Sequence, residues 1–249
     1  MVMLDGILSV DGILSFLTLT VMEIVLGIDN IIFISILTDK IEPKHRSRVR
    51  LIGLGLALVV RLILLGLLSE ISEIENPLFT LAGHGFAVKH IVFLAGGLFL
   101  LYKSTSEIHS SISGEEESEN KKDKRISVGA AIVQIILLDI VFSFDSILTA
   151  VGLSGEMVIM SMAVFISMLI MLFAAKGIGK FINENPSVKI LALSFLMTIG
   201  VMLVAEAFHQ EIPKGYIYYS LAFSLVVEAL NLRAKKKKTE SKSSGAEDI

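Results

Sequence analysis

Four carboxylates stand inside runs of apolar residues that are otherwise almost free of charge: Glu23 and Asp29 in one run, Asp139 and Asp145 in another. The two runs share a pattern. Each places its acids six residues apart, with a small residue between them (Gly27 or Ser143) and a short polar residue after the second (Asn30 or Ser146). Carboxylates, an amide, a hydroxyl and backbone carbonyls make an oxygen-only donor set, which suits hard cations such as Mn²⁺, Ca²⁺ and Mg²⁺. Cu⁺ and Zn²⁺ prefer thiolate or imidazole, and the chain has no cysteine and no histidine near these acids. Enzymatic chemistry is not expected, because no nucleophile–base pair, histidine–carboxylate set or phosphate loop is present. No tightly bound cofactor is implied either; the cation is read as cargo.

The elements that carry these acids follow from composition. Of the 249 residues, 53% are hydrophobic, and the mean hydropathy of +0.75 reflects apolar blocks rather than alternation. Several blocks reach the roughly 20 residues needed to cross a hydrocarbon core of about 30 Å. Only helices or closed barrels satisfy their backbone in lipid, and these runs are too long for barrel strands. Seven membrane helices are expected, at 13–37, 49–68, 88–106, 127–153, 157–175, 188–209 and 216–232.

All but three of the 22 lysines and arginines fall in the first, third and fifth connections, at their flanks, or in the tail; the exceptions are Arg61, Lys89 and Lys214. By the positive-inside rule the N-terminus lies outside and the C-terminus in the cytoplasm. No Lys or Arg precedes Lys40, so the start lacks the basic region of a signal peptide. The transmembrane unit is expected over 1–233. Within it, 111–125 is expected to be a mobile polar cytoplasmic linker, and 69–87 an outer loop forming a short hairpin or a re-entrant cap. Residues 234–249 are expected to be a disordered basic tail, its lysines held near anionic headgroups. The partners this implies are the bilayer, divalent cations and protons. No nucleic acid is expected, and assembly with further copies is left open.

The shared pattern makes spans one to three and four to six candidate repeats, with Asn76-Pro77 and Asn185-Pro186 as a weaker echo. Three is odd, so the copies would be inverted in the bilayer. Inverted repeats place a transport site near the midplane at their interface. The expected class is thus an all-α integral membrane fold of two inverted three-helix repeats plus one extra helix.

A charged residue at the bilayer centre costs about 2.5–3.5 kcal/mol, so the four acids must face the interior and be compensated. Arg61, the one basic residue deep in a span, is expected to pair with an acid and hold the empty site together. It cannot neutralise four acids, so bound cation or protons must supply the rest. Residues six apart on a helix diverge by about 120°, and residues seven apart nearly coincide. Glu23 therefore shares a face with Asn30, and Asp139 with Ser146. For Asp29 and Asp145 to join, the helix must distort: around Gly27 to Asn30, and more mildly around Ser143 to Asp145, where the serine hydroxyl can bond to the backbone.

Glu206 and Glu228 are candidate gate or proton-relay groups, and equally plain interfacial acids. Gln134, Ser35 and Thr149 are candidate supporting donors. The five histidines lie in loops or at span ends, where His84, His90 and His209 would be near departing ions. The methionines of span five, Met157 to Met171, do not keep to one face and are read as packing.

The segments EIVLGIDNIIFISIL (23–37) and IVQIILLDIVFSFDSILTAVGL (132–153) resemble the two signature spans of the TerC family of bacterial membrane proteins. NPSVKILALSFL and IPKGYIYYSLAFSLVVEALNL, farther along, resemble it too, so the likeness extends to about Arg233. No appended cytoplasmic domain is expected, which makes the chain similar to the short members. The resemblance implies an inner-membrane, seven-span, transporter-like fold, with Mn²⁺ efflux as the leading role and Glu23, Asp29, Asp139 and Asp145 as its acids. The family's name comes from tellurium resistance. The leading expectation is secondary-type export of a divalent cation through a midplane carboxylate site, in exchange for protons. Buried carboxylates take up protons once a cation leaves. The alternative is a non-transporting membrane component of a metal or tellurite stress-response complex. Export of another solute is a third reading, and an anion is disfavoured by four acids against one arginine.

Overall fold

A computed structural model describes residues 9–70, 77–81, 84–113, 126–154, 156–210 and 212–244. The described residues are helical almost throughout. The first span consists of α1 (Val10–Leu26) and α2 (Ile28–Asp39), joined at Gly27, and α3 (Pro43–Glu70) follows. A two-stranded hairpin, β1 (Phe79–Leu81) and β2 (His84–Phe86), then leads into α4 (Val88–Ile112). The second half holds α5 (Val128–Ser154), α6 (Met157–Glu184), α7 (Pro186–Ala207) and α8 (Lys214–Ser244).

Seven helical spans result, counting α1 and α2 as one, as expected for an all-α membrane protein. Six are long and apolar enough to cross a bilayer. The remaining helix, α5, is 27 residues long, and its described apolar stretch is Val128–Phe144. Helix starts are set by local chemistry. Ser9 caps α1 by accepting from Gly12 N–H at 3.0 Å, and Pro186 opens α7, where its missing N–H costs nothing.

The packing partners respect the proposed repeat. The first span lies on α6, and its counterpart α5 lies on α3, the counterpart of α6. The helices α4 and α7, counterparts of one another, make the most extensive pairing in the fold. Exchanging the halves exchanges these principal pairings among themselves, as a pseudo-two-fold axis requires. α8 stands outside this arrangement and packs on α7.

The connection between α3 and α4 contains an antiparallel hairpin pairing Phe79 with Phe86 and Leu81 with His84; residues 71–76 and 82–83 of this connection lie outside the described residues. Most of the expected linker, 114–125, also lies outside them, and α4 runs on as far as Ile112. The tail differs from expectation: α8 continues as helix to Ser244, beyond the boundary set at 234. Extending an existing helix fixes one residue per hydrogen bond, without the cost of a new nucleus, and Ala, Lys and Glu are good helix formers.

Candidate cation site

Glu23, on the last turn of α1, and Asp139, midway along α5, are 3% and 4% exposed. Between them, from α3, comes Arg61, 2% exposed. Its Nη1 donates to Glu23 Oε2 at 2.5 Å, and its Nη2 to Asp139 Oδ1 at 2.9 Å. The expected pairing of Arg61 with an acid is therefore met twice over. The planar fork of a guanidinium is suited to such bridging, and burial removes the competing water.

Asn30, the first polar residue after Asp29, donates from Nδ2 to Asp139 Oδ1 at 3.1 Å. Glu23 and Asn30, expected on one face, thus both reach the Asp139 side. Ser143 Oγ donates to the other carboxylate oxygen, Asp139 Oδ2, at 3.2 Å. The hydroxyl expected to bond the backbone at Ser143 bonds the acid instead; it is Ser146 Oγ that returns to a carbonyl, that of Ser143, at 3.3 Å. Asp139 accordingly accepts from three side chains on three helices.

The distortion expected at Gly27 is present but narrow. Gly27 alone leaves the helix, at φ −86° and ψ −2°. The ladder resumes on both sides, with Gly27 N–H on Glu23 O at 2.8 Å and Ile31 N–H on Gly27 O at 3.1 Å. Packing requires the glycine, since a Cβ there would lie 2.1 Å from Met171 Sδ. No matching break occurs in α5, which is helical through Ser143, Asp145 and beyond. The side chain of Asp145 lies outside the described residues.

Asp29 is 1% exposed. Tyr218 of α8 donates its hydroxyl to Asp29 Oδ2 at 3.4 Å, and Glu206 is close enough to Tyr218 to act on it electrostatically. Sequence reasoning missed Tyr218, because tyrosines near membrane surfaces are ordinary. Its one signal was a hydroxyl within the apolar GYIYYSL stretch. Glu228 is half-buried and takes a hydrogen bond from Ser187 Oγ at 2.5 Å, which ties α8 to the start of α7. Of the supporting donors, Gln134 bonds the carbonyl of Ala130 and Ser35 is buried beside Gly179; the side chain of Thr149 lies outside the described residues. The methionines divide as expected, with Met160, Met168 and Met171 buried and Met157 and Met162 exposed.

Two further polar contacts had no sequence signal. Lys40, at the end of α2, pairs with the buried Glu107 of α4 at 2.5 Å. His90 and His209, expected near the outer ends of α4 and α7, stack with ring centroids 4.2 Å apart. Among the described residues, no three His, Asp or Glu side chains form a ready metal-binding group. Glu23 and Asp139 are both held by Arg61.

A polytopic helical bundle with acids paired across two structural repeats defines an integral membrane protein of the internally repeated kind. The chain belongs to the integral membrane protein TerC family, whose model matches residues 2–243. It is 50% identical over 220 residues to the UPF0053 inner membrane protein YgdQ of Escherichia coli K12, covering 88% of this chain and 92% of that one. A UPF0053 protein of Haemophilus influenzae is 42% identical over 234 residues, covering 94% of this chain and 99% of the relative. The longer UPF0053 inner membrane protein YoaE of Escherichia coli K12 is 44% identical over 220 residues, which span only 42% of its length. No solved structure matches the chain.

Proposed function

We propose that the protein is a secondary transporter of the inner membrane that exports a divalent metal cation, Mn²⁺ ahead of Ca²⁺ or Mg²⁺, in exchange for protons. One observation carries this: Glu23 and Asp139, which hold the same position in the two repeats, are both buried and meet on one guanidinium from α3. Two carboxylates sharing one cation keep a net negative charge in a low-dielectric medium, so the pair favours a further positive charge. Arg61 serves as counter-ion in the cargo-free state, and a hard cation takes its place when one repeat moves against the other. Oxygen donors select hard cations; resemblance to the family narrows the choice to Mn²⁺. Release on the far side leaves the acids to bind protons, which return on the reverse stroke.

The test is Mn²⁺ flux in proteoliposomes. The wild-type chain moves Mn²⁺ with counterflow of protons, and Glu23→Gln and Asp139→Asn each reduce the flux at least about tenfold, the effect of ~1.4 kcal/mol. In cells lacking the protein, the wild type restores Mn²⁺ tolerance. Tolerance restored equally by the Asp29→Asn, Asp145→Asn double variant would remove those two acids from the site.

A second reading, a non-transporting membrane component of a metal or tellurite stress-response complex, is favoured by the closure of Glu23 and Asp139 on Arg61. Under it, the acids hold the repeats together, flux is absent in liposomes, and a soluble partner co-purifies.

The orientation, N-terminus outside and C-terminus cytoplasmic, is tested with single cysteines in this cysteine-free chain. Ser243→Cys reacts with an impermeant maleimide only in inverted vesicles, and Ser9→Cys only in right-side-out ones.

A further inference from the structure

Where α2 ends and α3 begins, a cleft of about 340 Å³ opens against the last two turns of α6. Four cations border it: Arg46, Arg50, Lys176 and Lys180. Two are already paired. Arg46 meets Asp39 Oδ1 at 2.8 Å and also donates to the carbonyls of Ile41 and Asp39 at 3.0 and 2.6 Å. Lys180 faces Glu184 at 3.7 Å.

Arg50 and Lys176 differ. Among the described residues, neither has a carboxylate partner. Arg50 Nε is shut off from solvent with no acceptor. Its Nη2 lies over Gly179, where an added Cβ would come within 3.7 Å of it and within 3.0 Å of Ser35 Oγ, so the glycine lets the guanidinium lie close against α6. A buried N–H donor without an acceptor, beside a second unpaired cation, is an arrangement that a bound oxyanion would complete.

The geometry points to a phosphate-binding site in this cleft, occupied by the headgroup of an anionic phospholipid. Independently of the transport reading, three features select the lipid as the source of the phosphate. The cleft lies at the ends of three helices, at the depth where headgroups sit when such spans cross a core of about 30 Å. This end of the bundle holds the basic residues that anionic leaflets attract. On α6, Phe173 stands three residues before Lys176 and so on the same face; at 80% exposed it offers an acyl chain an apolar surface leading away from the cleft. An Arg fork with an adjacent Lys is a donor set fitted to phosphate oxygens.

The experiment uses the full chain in a neutral detergent. Binding of dioleoylphosphatidylglycerol, dioleoylphosphatidylcholine and inorganic phosphate is followed by native mass spectrometry and by the shift in melting midpoint. Phosphatidylglycerol is expected to remain bound and raise the midpoint, while phosphatidylcholine and millimolar phosphate do neither. Each cation near an anionic headgroup accounts for about a fivefold change in binding. Lys176→Gln, at an exposed position the fold tolerates, is expected to weaken phosphatidylglycerol binding about fivefold, and Arg50→Gln with Lys176→Gln about thirtyfold. The lysines of the tail contribute a background common to all variants. Unchanged binding in Lys176→Gln and in the double variant overturns the proposal, as does equal retention of phosphatidylcholine. Saturable binding of inorganic phosphate that excludes phosphatidylglycerol overturns the lipid assignment.

Discussion

Taking Arg61 away leaves two acids inside the bundle, and taking the acids away as well leaves nothing that needs a counter-ion. Breaking a buried ion pair by deleting one partner costs about 3–5 kcal/mol, whereas replacing the whole set by neutral groups costs little. Arg61→Met is therefore expected to lower the melting midpoint of the detergent-solubilised protein by roughly 6–20 °C, at about 2–4 °C per kcal/mol. The triple variant Arg61→Met, Glu23→Gln, Asp139→Asn should recover most of that loss. A single variant that melts like the wild type would show that Arg61 carries no such role. The acids were legible in the sequence because a charge in an apolar run is rare and costly, and Arg61 for the same reason. Tyr218 was not, since its partner Asp29 lies 189 positions away and only tertiary packing joins them. The hydroxyl of Ser143 was assigned to the backbone, because Asp139 stands one turn earlier and a helix offers a serine both acceptors.

The break at Gly27 and the absence of one at Ser143 have a common explanation. In α5 the polar residue finds its partner within the helix, at Asp139, so nothing requires unwinding. In the first span, α6 approaches the backbone so closely that only glycine fits. A Cβ at Gly27 would meet Met171 Sδ at 2.1 Å and the carbonyl of Glu23 at 2.9 Å, and Met171 is 0% exposed, with little room to yield. Overpacking of this kind costs about 1–3 kcal/mol, more than the roughly 0.5–1 kcal/mol that alanine gains over glycine in a helix. Gly27→Ala should lower the melting midpoint. Gly55→Ala, at a position on α3 with nothing within 4 Å of the added Cβ, should leave it unchanged or raise it. The same thermal measurement reads both, and a like sign for the two would remove the packing explanation. Element lengths were less legible than element existence. α3, α4 and α6 run beyond their apolar cores into charged turns, where a helix continues because its last turns can face water.

At the scale of the whole molecule, exchanging the two halves maps the most extensive pairing, α4 with α7, onto itself. Their crossing is built on Gly97 and Gly200, which face each other: a Cβ at Gly97 would lie 2.8 Å from Gly200 O, and one at Gly200 would lie 3.1 Å from Gly97 O. In a membrane, where lipid is as apolar as any side chain, such small residues let helix backbones approach and associate. The sequence pattern of the acids pointed to the repeat, but not to this crossing, because glycines are too frequent in membrane helices for any one to stand out. If the crossing lies on the axis about which the halves move, widening it should impair both stability and transport. Gly97→Ala forces its Cβ against backbone atoms, Gly200 O at 2.8 Å and Val204 N at 3.0 Å, whereas the contacts nearest a Gly200 Cβ include side-chain atoms of Leu101 and Leu100 at 3.1 and 3.2 Å. Side chains can yield by a few tenths of an ångström and a packed backbone cannot. Gly97→Ala is thus expected to lower the melting midpoint by roughly 2–12 °C, from about 1–3 kcal/mol of overpacking, and Gly200→Ala by less. Mn²⁺ flux in proteoliposomes should fall in the same order, and full flux in a destabilised Gly97→Ala protein would place the moving contact elsewhere than between α4 and α7.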